Sequence, residues 1–296
     1  MIVVLGSINL DLVLPVPALP APGETVLGPG FTAQPGGKGA NQALAAARDG
    51  ASVVLAGSVG RDAFAPQALA LLREARVDLS RVAETGSPTG IAVIAVDPDG
   101  RNLILVASGA NRQTTAAQVE DALLTPQTTL LLQREVAPVE SALLALRAKR
   151  RGCRVVLNTA PAGPFPGEAL AALDVLVANE VEAAELGAAS AAELAARHGF
   201  AAVITRGEAG VEIAAAGETF TLPAHRVTVR DTTGAGDTFT GVLAAALDRG
   251  LTLRDAATRA NAAAALCCTH EGSQQSIPSA PETDALLAGW PAKPIR

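Results

Sequence analysis

Asp231-Thr232-Thr233-Gly234-Ala235-Gly236-Asp237 is the stretch on which the reading of this chain turns. It lies between a strand-like segment, Val227 to Arg230, and a helix-like one, Thr238 to Leu247. Gly234, Ala235 and Gly236 carry almost no side chain, so backbone N–H groups at the helix start face open space. With the positive end of the helix dipole they form an anion site. Asp237 falls in the first turn beside it. A carboxylate there repels a resting phosphate, but it suits a general base that takes a proton from an attacking hydroxyl. The loop would meanwhile hold charge on a transferring phosphoryl group. Taken alone, the segment is equally compatible with a capped turn, because an acidic residue in a first helical turn is favourable in any protein.

Two distant clusters shift that balance. Gly36-Gly37-Lys38-Gly39-Ala40-Asn41 follows a strand-like stretch, Thr25 to Gln34, and opens an alanine-rich helix from about Ala40 to Arg48. It lacks the spacing and terminal hydroxyl of a P-loop. Backbone bared by Gly36 and Gly37 would let a polyol approach closely, and Asn41 can bond hydroxyls through both ends of its amide. The alternative is a tight turn with a solvated lysine. The third cluster, Gly6-Ser7-Ile8-Asn9-Leu10-Asp11, follows the wholly apolar segment Ile2 to Leu5. Such a segment reads as a buried parallel strand, and open α/β sheets bind ligands at the carboxyl ends of those strands. Asn9 and Asp11 alternate with apolar neighbours, so both face one side and suit vicinal hydroxyls. The competing reading is the polar face of a half-exposed strand.

The rest of the chain alternates strand and helix patterns. Ser52–Ala56, Thr129–Leu132, Arg154–Leu157, Val175–Val177 and Ala202–Thr205 read as strands, and Phe64–Glu74 and Pro138–Lys149 as helices. Repeated βα spacing predicts a mostly parallel sheet with helices on both faces. Two hairpins interrupt it, one turning at Asp97-Pro98-Asp99-Gly100 and one near Gly217-Glu218. The first hairpin, with segments near Leu10–Val16 and Thr25–Thr32, cannot join a parallel sheet and predicts a small separate one.

Composition excludes several classes. The net charge of −6 and the 2% of aromatic residues argue against nucleic-acid and anionic-membrane partners. Cys153, Cys267 and Cys268 have no metal or disulfide spacing, as expected of a reducing cytoplasm. The segment before Ile2 has no room for a signal peptide, and no apolar run reaches 18 residues, so a soluble cytoplasmic protein is expected. His198, His225 and His270 stand far apart, and no dinucleotide fingerprint follows the first strand.

Together the three clusters resemble the ribokinase, or PfkB, family of carbohydrate kinases. The likeness runs from Val3 to about Pro278 and includes Pro22-Gly23-Glu24-Thr25 and Gln42. It implies one ribokinase-like α/β domain over residues 1–296. A β-sheet lid would be formed by segments near 10–16, 25–34 and 89–107, and a homodimer would form through that lid. It implies transfer of the γ-phosphoryl group of ATP to the 5-hydroxyl of D-ribose. Asp237 would be the base, and Gly234, Ala235 and Gly236 the anion hole. Asn9, Asp11, Gly37, Lys38, Asn41 and Glu135 would meet the sugar. Asn179, Thr205, Gly207, Gly210, Gly236 and Asn261 would meet ATP. Glu182 would act on Mg²⁺ through water; it shares a helix face with Asn179, a pattern that also describes a capping box. Asp231, Thr233, Cys267, His270, Gly272 and Ser276 would surround K⁺, chiefly through carbonyls.

The chain departs from the family pattern in places. Gln133–Pro138 is one residue longer before its proline, which bears on Glu135. Ala65 replaces a glycine, Thr159 and Gln275 replace prolines, and His270 replaces a basic residue. The alternatives are a family member acting on deoxyribose, a ketohexose or a nucleoside, and a sugar or nucleotide sensor without turnover. Scarce aromatics weigh against the nucleoside, and the intact Asp237 loop weighs against the sensor.

Overall fold

The computed structural model describes residues 1–289; Trp290, the single tryptophan, lies outside them. The strands in chain order are β1 (Ile2–Leu5), β2 (Asn9–Pro15), β3 (Thr32–Gly36), β4 (Val53–Gly60), β5 (Asp78–Thr85), β6 (Gly90–Val96) and β7 (Asn102–Ala107). Then come β8 (Thr129–Leu132), β9 (Arg154–Asn158), β10 (Val175–Asn179), β11 (Ala201–Thr205), β12 (Val211–Ala215) and β13 (Glu218–Leu222). Nine of them form one sheet in the order β13-β12-β11-β10-β9-β8-β1-β4-β5. All neighbours in it are parallel except those made by β12 and β13, the second hairpin. The remaining four form a small sheet, β3-β2-β6-β7.

The helices are α1 (Lys38–Arg48), α2 (Phe64–Ala68), α3 (Ala70–Glu74), α4 (Pro138–Arg150), α5 (Gly167–Leu170), α6 (Glu180–Glu185), α7 (Ala191–His198), α8 (Ala235–Asp248), α9 (Leu253–Cys267) and α10 (Ala280–Gly289). Two apolar cores follow from the alternation of side chains along the sheet. Ile2, Val4, Leu55 and Leu131 point to one face, against α1, α8 and α9. Val3, Leu5, Leu130, Leu132 and Val155 point to the other, against α4 and α7.

Strand order reverses beside β1, whose neighbours β4 and β8 lie on opposite sides. The crevice at the carboxyl ends of β1 and β8 is therefore the switch point at which open α/β sheets bind ligands. Two glycine contacts bring the chain together there. A Cβ at Gly6 would overlap the Gln133 side chain and lie 2.6 Å from Gly39 Cα, so the loop after β1 meets the start of α1 backbone to backbone and the side chain that follows β8 packs on the same spot. A Cβ at Gly241 would overlap the Gln42 carbonyl oxygen and lie 2.7 Å from Ala45 Cβ, so α8 crosses α1 at the same close range. Alanine fills the rest of that crossing: Ala43, Ala45, Ala46, Ala244, Ala245 and Ala246 are fully buried.

Three expectations need correction, and one strand had none. Residues 25–31 form no strand; Gly28, Pro29 and Gly30 interrupt the run, and pairing with β2 starts only at Thr32. Residues 227–230 are irregular, because the chain runs to the end of α9, where the N–H groups of Arg230 and Asp231 donate to the Cys268 carbonyl. Phe64–Glu74 is broken into α2 and α3 at Leu69, a turn residue with φ −97° and ψ −2° between the two helices. β5 was not anticipated. It is an edge strand with a half-exposed, charged sequence, so it lacks the apolar run of the inner strands.

Candidate active site

The DTTGAGD loop ends in α8, with Gly234 as N-cap at φ +77°. Glycine holds that left-handed position without strain. The Ala235 N–H donates to the Thr232 carbonyl at 3.2 Å, which closes the turn. Among the described residues, no hydrogen bond engages the N–H groups of Gly236 and Asp237, so these two form the open part of the helix N-terminus. Gly236 is exposed, and a Cβ there would meet open space.

Asp237 is buried at 7% exposure, and both of its oxygens are held. Asn41 Nδ2 donates to Oδ2 at 2.9 Å, and Gln42 Nε2 donates to Oδ1 at 2.9 Å. Each amide is held in turn. Gln274 Nε2 donates to Asn41 Oδ1 at 3.0 Å. Gln133 Nε2 donates to Gln42 Oε1 at 2.9 Å, and Gln42 Nε2 also donates to Asn158 Oδ1 at 3.0 Å. Asn41 therefore already uses one N–H and one lone pair within the protein. It has only the second of each for a hydroxyl.

The sugar-side residues gather around the switch point. Asn9 is buried in β2, and its Oδ1 accepts from Asn111 Nδ2 at 2.7 Å. Asp11 lies two residues on, with its carboxylate against the Cα of Gly36. Glu135 is drawn into the same place despite the longer segment before Pro138. Its Oε2 accepts from Ser7 Oγ at 2.6 Å and from the Lys38 N–H at 3.0 Å.

Charges at the site are unbalanced. Asp237, Glu135, Glu182 and Asp11 all act on Lys38, and Asp237, the strongest, holds its ammonium above its ordinary value despite burial. Asp11 is pushed from 3.8 to about 7, first by burial and then by Glu135 and Asp237, with Lys38 opposing. The folded chain therefore holds a proton on Asp11 that the unfolded chain releases. That contribution to stability is complete below the unfolded value of 3.8 and is lost as pH rises through about 7. Asp11→Asn removes the charge, so its melting temperature should exceed that of the parent at pH 8 and fall less between pH 5 and pH 8. An equal pH slope in the two proteins would show that Asp11 is not the group responsible.

A cleft opens beside this cluster, lined by Lys38, Asn179, Glu182, Thr205, Thr232 and Asp237. Asn158, the end of β9, also reaches it. Glu182 and Asn179 form a capping box: Glu182 accepts from the Asn179 N–H at 2.9 Å and from Asn179 Nδ2 at 3.0 Å. Thr159 Oγ1 adds a bond to this carboxylate at 3.3 Å. With these bonds made, Glu182 suits an ion that keeps its own waters better than one it binds directly. Gly207 is exposed at the next turn, whereas Gly210, at φ +93°, is buried against Ala224 and has a backbone role. Asn261 on α9 donates one N–H to the Pro223 carbonyl at 2.8 Å.

Behind the loop, Asp231 accepts from the N–H groups of Thr233 and Gly272, each at 2.9 Å. Burial pushes this carboxyl up, but those bonds outweigh it and hold it below its ordinary range. Cys267 Sγ lies 3.0 Å from Ser276 Oγ and 3.7 Å from the Thr233 carbonyl, and burial raises the thiol. Asp231, Thr233, Cys267, Gly272 and Ser276 thus converge. His270 is exposed, and its ring meets Thr269. Among the described residues, no group of three or more His, Cys, Asp and Glu is arranged to hold a metal ion, and no helix is long and apolar enough to cross a membrane.

Sequence reasoning missed Gln42, Asn158, Gln133, Gln274 and Ser7. Gln42 adjoins a motif that was singled out, and Asn158 and Gln133 sit at the ends of parallel strands, where the switch-point rule directs attention.

The fold and the sequence are shared with known proteins. The sequence pattern described as pfkB family carbohydrate kinase matches residues 1–280. The chain is 36% identical over 297 residues to a ribokinase of Haemophilus influenzae, covering 96% of this chain and 97% of that one. It is 36% identical over 293 residues to a ribokinase of Bacillus subtilis, covering 97% and 99%. The crystal structure of a ribokinase from Thermotoga maritima superposes with a TM-score of 0.87 at 32% identity, over 98% of this chain and 99% of that one. The structure of Arabidopsis thaliana ribokinase complexed with ribose and ATP gives a TM-score of 0.87 at 31% identity, over 97% and 98%. The nine-stranded sheet and the small accessory sheet are therefore those of a ribokinase-like fold, and this chain belongs to the pfkB family of carbohydrate kinases.

Proposed function

We propose that the chain is a ribokinase, phosphorylating the 5-hydroxyl of D-ribose at the expense of ATP. The observation that carries this reading is the position of Asp237. Its carboxylate is shared between amides of α1, on the sugar side, and the cleft that contains Asn179, Glu182 and Thr205. A relative 31% identical over nearly the whole chain has been solved with ribose and ATP, which favours ribose among the family's acceptors.

In this reading Asn9, Asp11, Gly37, Asn41 and Glu135 orient the sugar hydroxyls. Asp237 takes the proton of the attacking hydroxyl. The open N–H groups of Gly236 and Asp237, at the start of α8, receive the phosphoryl oxygens, with Gly234 and Ala235 shaping the turn. Lys38 adds a positive charge on the same side, kept protonated mainly by Asp237. Asn179, Thr205, Gly207, Gly210 and Asn261 build the nucleotide side, the last two by fixing backbone. A hydrated Mg²⁺, when bound with ATP, would neutralise phosphate charge; the excess of carboxylates over cations around Lys38 and the saturated Glu182 fit it. K⁺ would sit among Asp231, Thr233, Cys267, His270, Gly272 and Ser276, and would stiffen the loop from behind.

The residues act as a single domain in which the small sheet serves as lid over the sugar. Excluding water there limits hydrolysis of ATP. The outer strand β7 exposes Leu103, Ile104, Leu105 and Val106. An apolar edge of this kind calls for a cover, and a second copy of the chain, giving a homodimer, is the reading we adopt. A coupled ADP-release assay over ribose, deoxyribose, ketohexoses and nucleosides tests the substrate. Ribose should give the highest kcat/KM, and replacing K⁺ by tetramethylammonium should reduce the rate. A better rate with another acceptor would reassign the substrate; equal rates in the two cations would remove K⁺.

A further inference from the structure

Asp237 is held by two amides, and they are not equivalent. Asn41 belongs to the sugar-binding set. Gln42 faces inward: it is 0% exposed and makes three side-chain bonds, to Asp237, Asn158 and Gln133. Both of its N–H bonds and its carbonyl oxygen are used. Gln133, at the end of β8, fixes which end of the Gln42 amide faces Asp237, because its own N–H₂ requires an oxygen there. Asn158, at the end of β9, accepts the other N–H, and its own Nδ2 donates to the Val177 carbonyl of β10 at 3.2 Å. The chain of bonds therefore runs from the carboxyl ends of three parallel strands, through one glutamine, to one oxygen of the base. We infer that Gln42 is a positioning residue for phosphoryl transfer: it holds the Asp237 carboxylate at a fixed rotation, so that its other lone pairs face the sugar hydroxyl.

This inference rests on Asp237 acting as base, and it goes beyond that reading by naming what aims it. The division of labour is chemical. Asn41 keeps its second N–H for a sugar hydroxyl, since only one of its two N–H bonds is used within the protein. Gln42 cannot turn without breaking buried bonds to Asn158 and Gln133, and a broken buried bond leaves a polar atom without a partner. The carboxylate thus keeps one donor throughout the reaction. A base misplaced by about 1 Å loses on the order of 10²-fold in rate, so the loss of this donor should appear in turnover rather than in sugar affinity. Charged groups acting around the carboxylate are Lys38, Asp11 and Glu135, from α1, β2 and the segment after β8. None of them bonds to Gln42, so its removal leaves them in place.

The test compares the parent with Gln42→Leu and Gln42→Asn, the second keeping an amide on a side chain too short to reach both partners. Thermal melting establishes that each variant is folded. Isothermal calorimetry with ribose alone and steady-state ADP release are then measured on the full chain. We expect kcat to fall roughly tenfold to a hundredfold in each folded variant, while the ribose Kd stays within about threefold. Gln133→Leu, which removes only the orienting bond, should fall between those variants and the parent. A folded variant with kcat within twofold of the parent overturns the inference. So does a kcat loss matched by an equal loss of ribose affinity, which would make Gln42 part of the sugar pocket. A parent that releases no ADP with any sugar overturns the kinase reading itself, a different result from an active parent with indifferent variants.

Discussion

Asp237→Ala is expected to abolish most turnover, lowering kcat by roughly 10² to 10⁴-fold, the range attributed to a positioned general base. The sugar should still bind within about tenfold, since Asn9, Asp11 and Glu135 are held by β2, β3 and the end of β8 independently of α8. The variant should also melt lower. Asn41 Nδ2 and Gln42 Nε2 both donate to this carboxylate, and its removal leaves two buried N–H bonds without acceptors. Each such orphan costs about 1–3 kcal/mol. Asp237→Asn separates the effects. It restores volume and one acceptor oxygen but supplies no base, so stability should recover in part and turnover should not. Measuring kcat, ribose affinity and melting temperature on both variants gives three independent readouts. Near-normal kcat in either one would show that proton removal is performed elsewhere.

Gly241→Val should come next in size, although Gly241 touches no substrate in any reading of the site. Its Cα faces the backbone of α1, and an added Cβ would overlap the Gln42 carbonyl and crowd Ala45 and Ala46. Valine's better helix propensity than glycine's is worth only about 0.5 kcal/mol. Overpacking at a backbone contact costs about 1–3 kcal/mol, so the net effect is destabilising. To relieve the overlap α8 must move away from α1, and Asp237 lies one turn from Gly241 on that helix. We expect a lower melting temperature together with a kcat loss of about 10²-fold in the protein that remains folded. Unchanged melting with unchanged kcat would mean that the helix crossing is more compliant than its geometry implies.

These two positions also show what was legible in the sequence. Asp237, Lys38, Asn41, Asn9 and Asp11 stand in motifs whose residue types carry their chemistry on their face, and the structure gathers them at one switch point. The apolar runs of β1, β8, β9 and β11 were readable for the same reason: buried parallel strands tolerate little else. β5 was not, because an edge strand needs only one covered face, and its alternation of Asp, Ser, Arg and Glu resembles a loop. Gly241 was hidden because a helical glycine reads as a weak point, and only the facing backbone reveals why no side chain fits. Gln42, Gln133, Asn158 and Gln274 were hidden because a neutral amide has no chemistry of its own to advertise. Its value depends on which partners lie within 3 Å, and that is a property of the fold. The same limit applied to Asn179 and Glu182, whose spacing described a capping box and a ligand site at once; the bonds of the box are made.

Asp237 meets amides that lie 196 and 195 residues earlier in the chain. During synthesis the ribosome therefore releases the amino-terminal half, with its buried amides and lysine, long before the carboxylate that completes them. A nascent chain stopped short of α8 has the scaffold of a pocket but no acceptor for Gln42 and no wall opposite α1. The amides of α1 and the carboxylate they hold can therefore meet only once α8 has emerged.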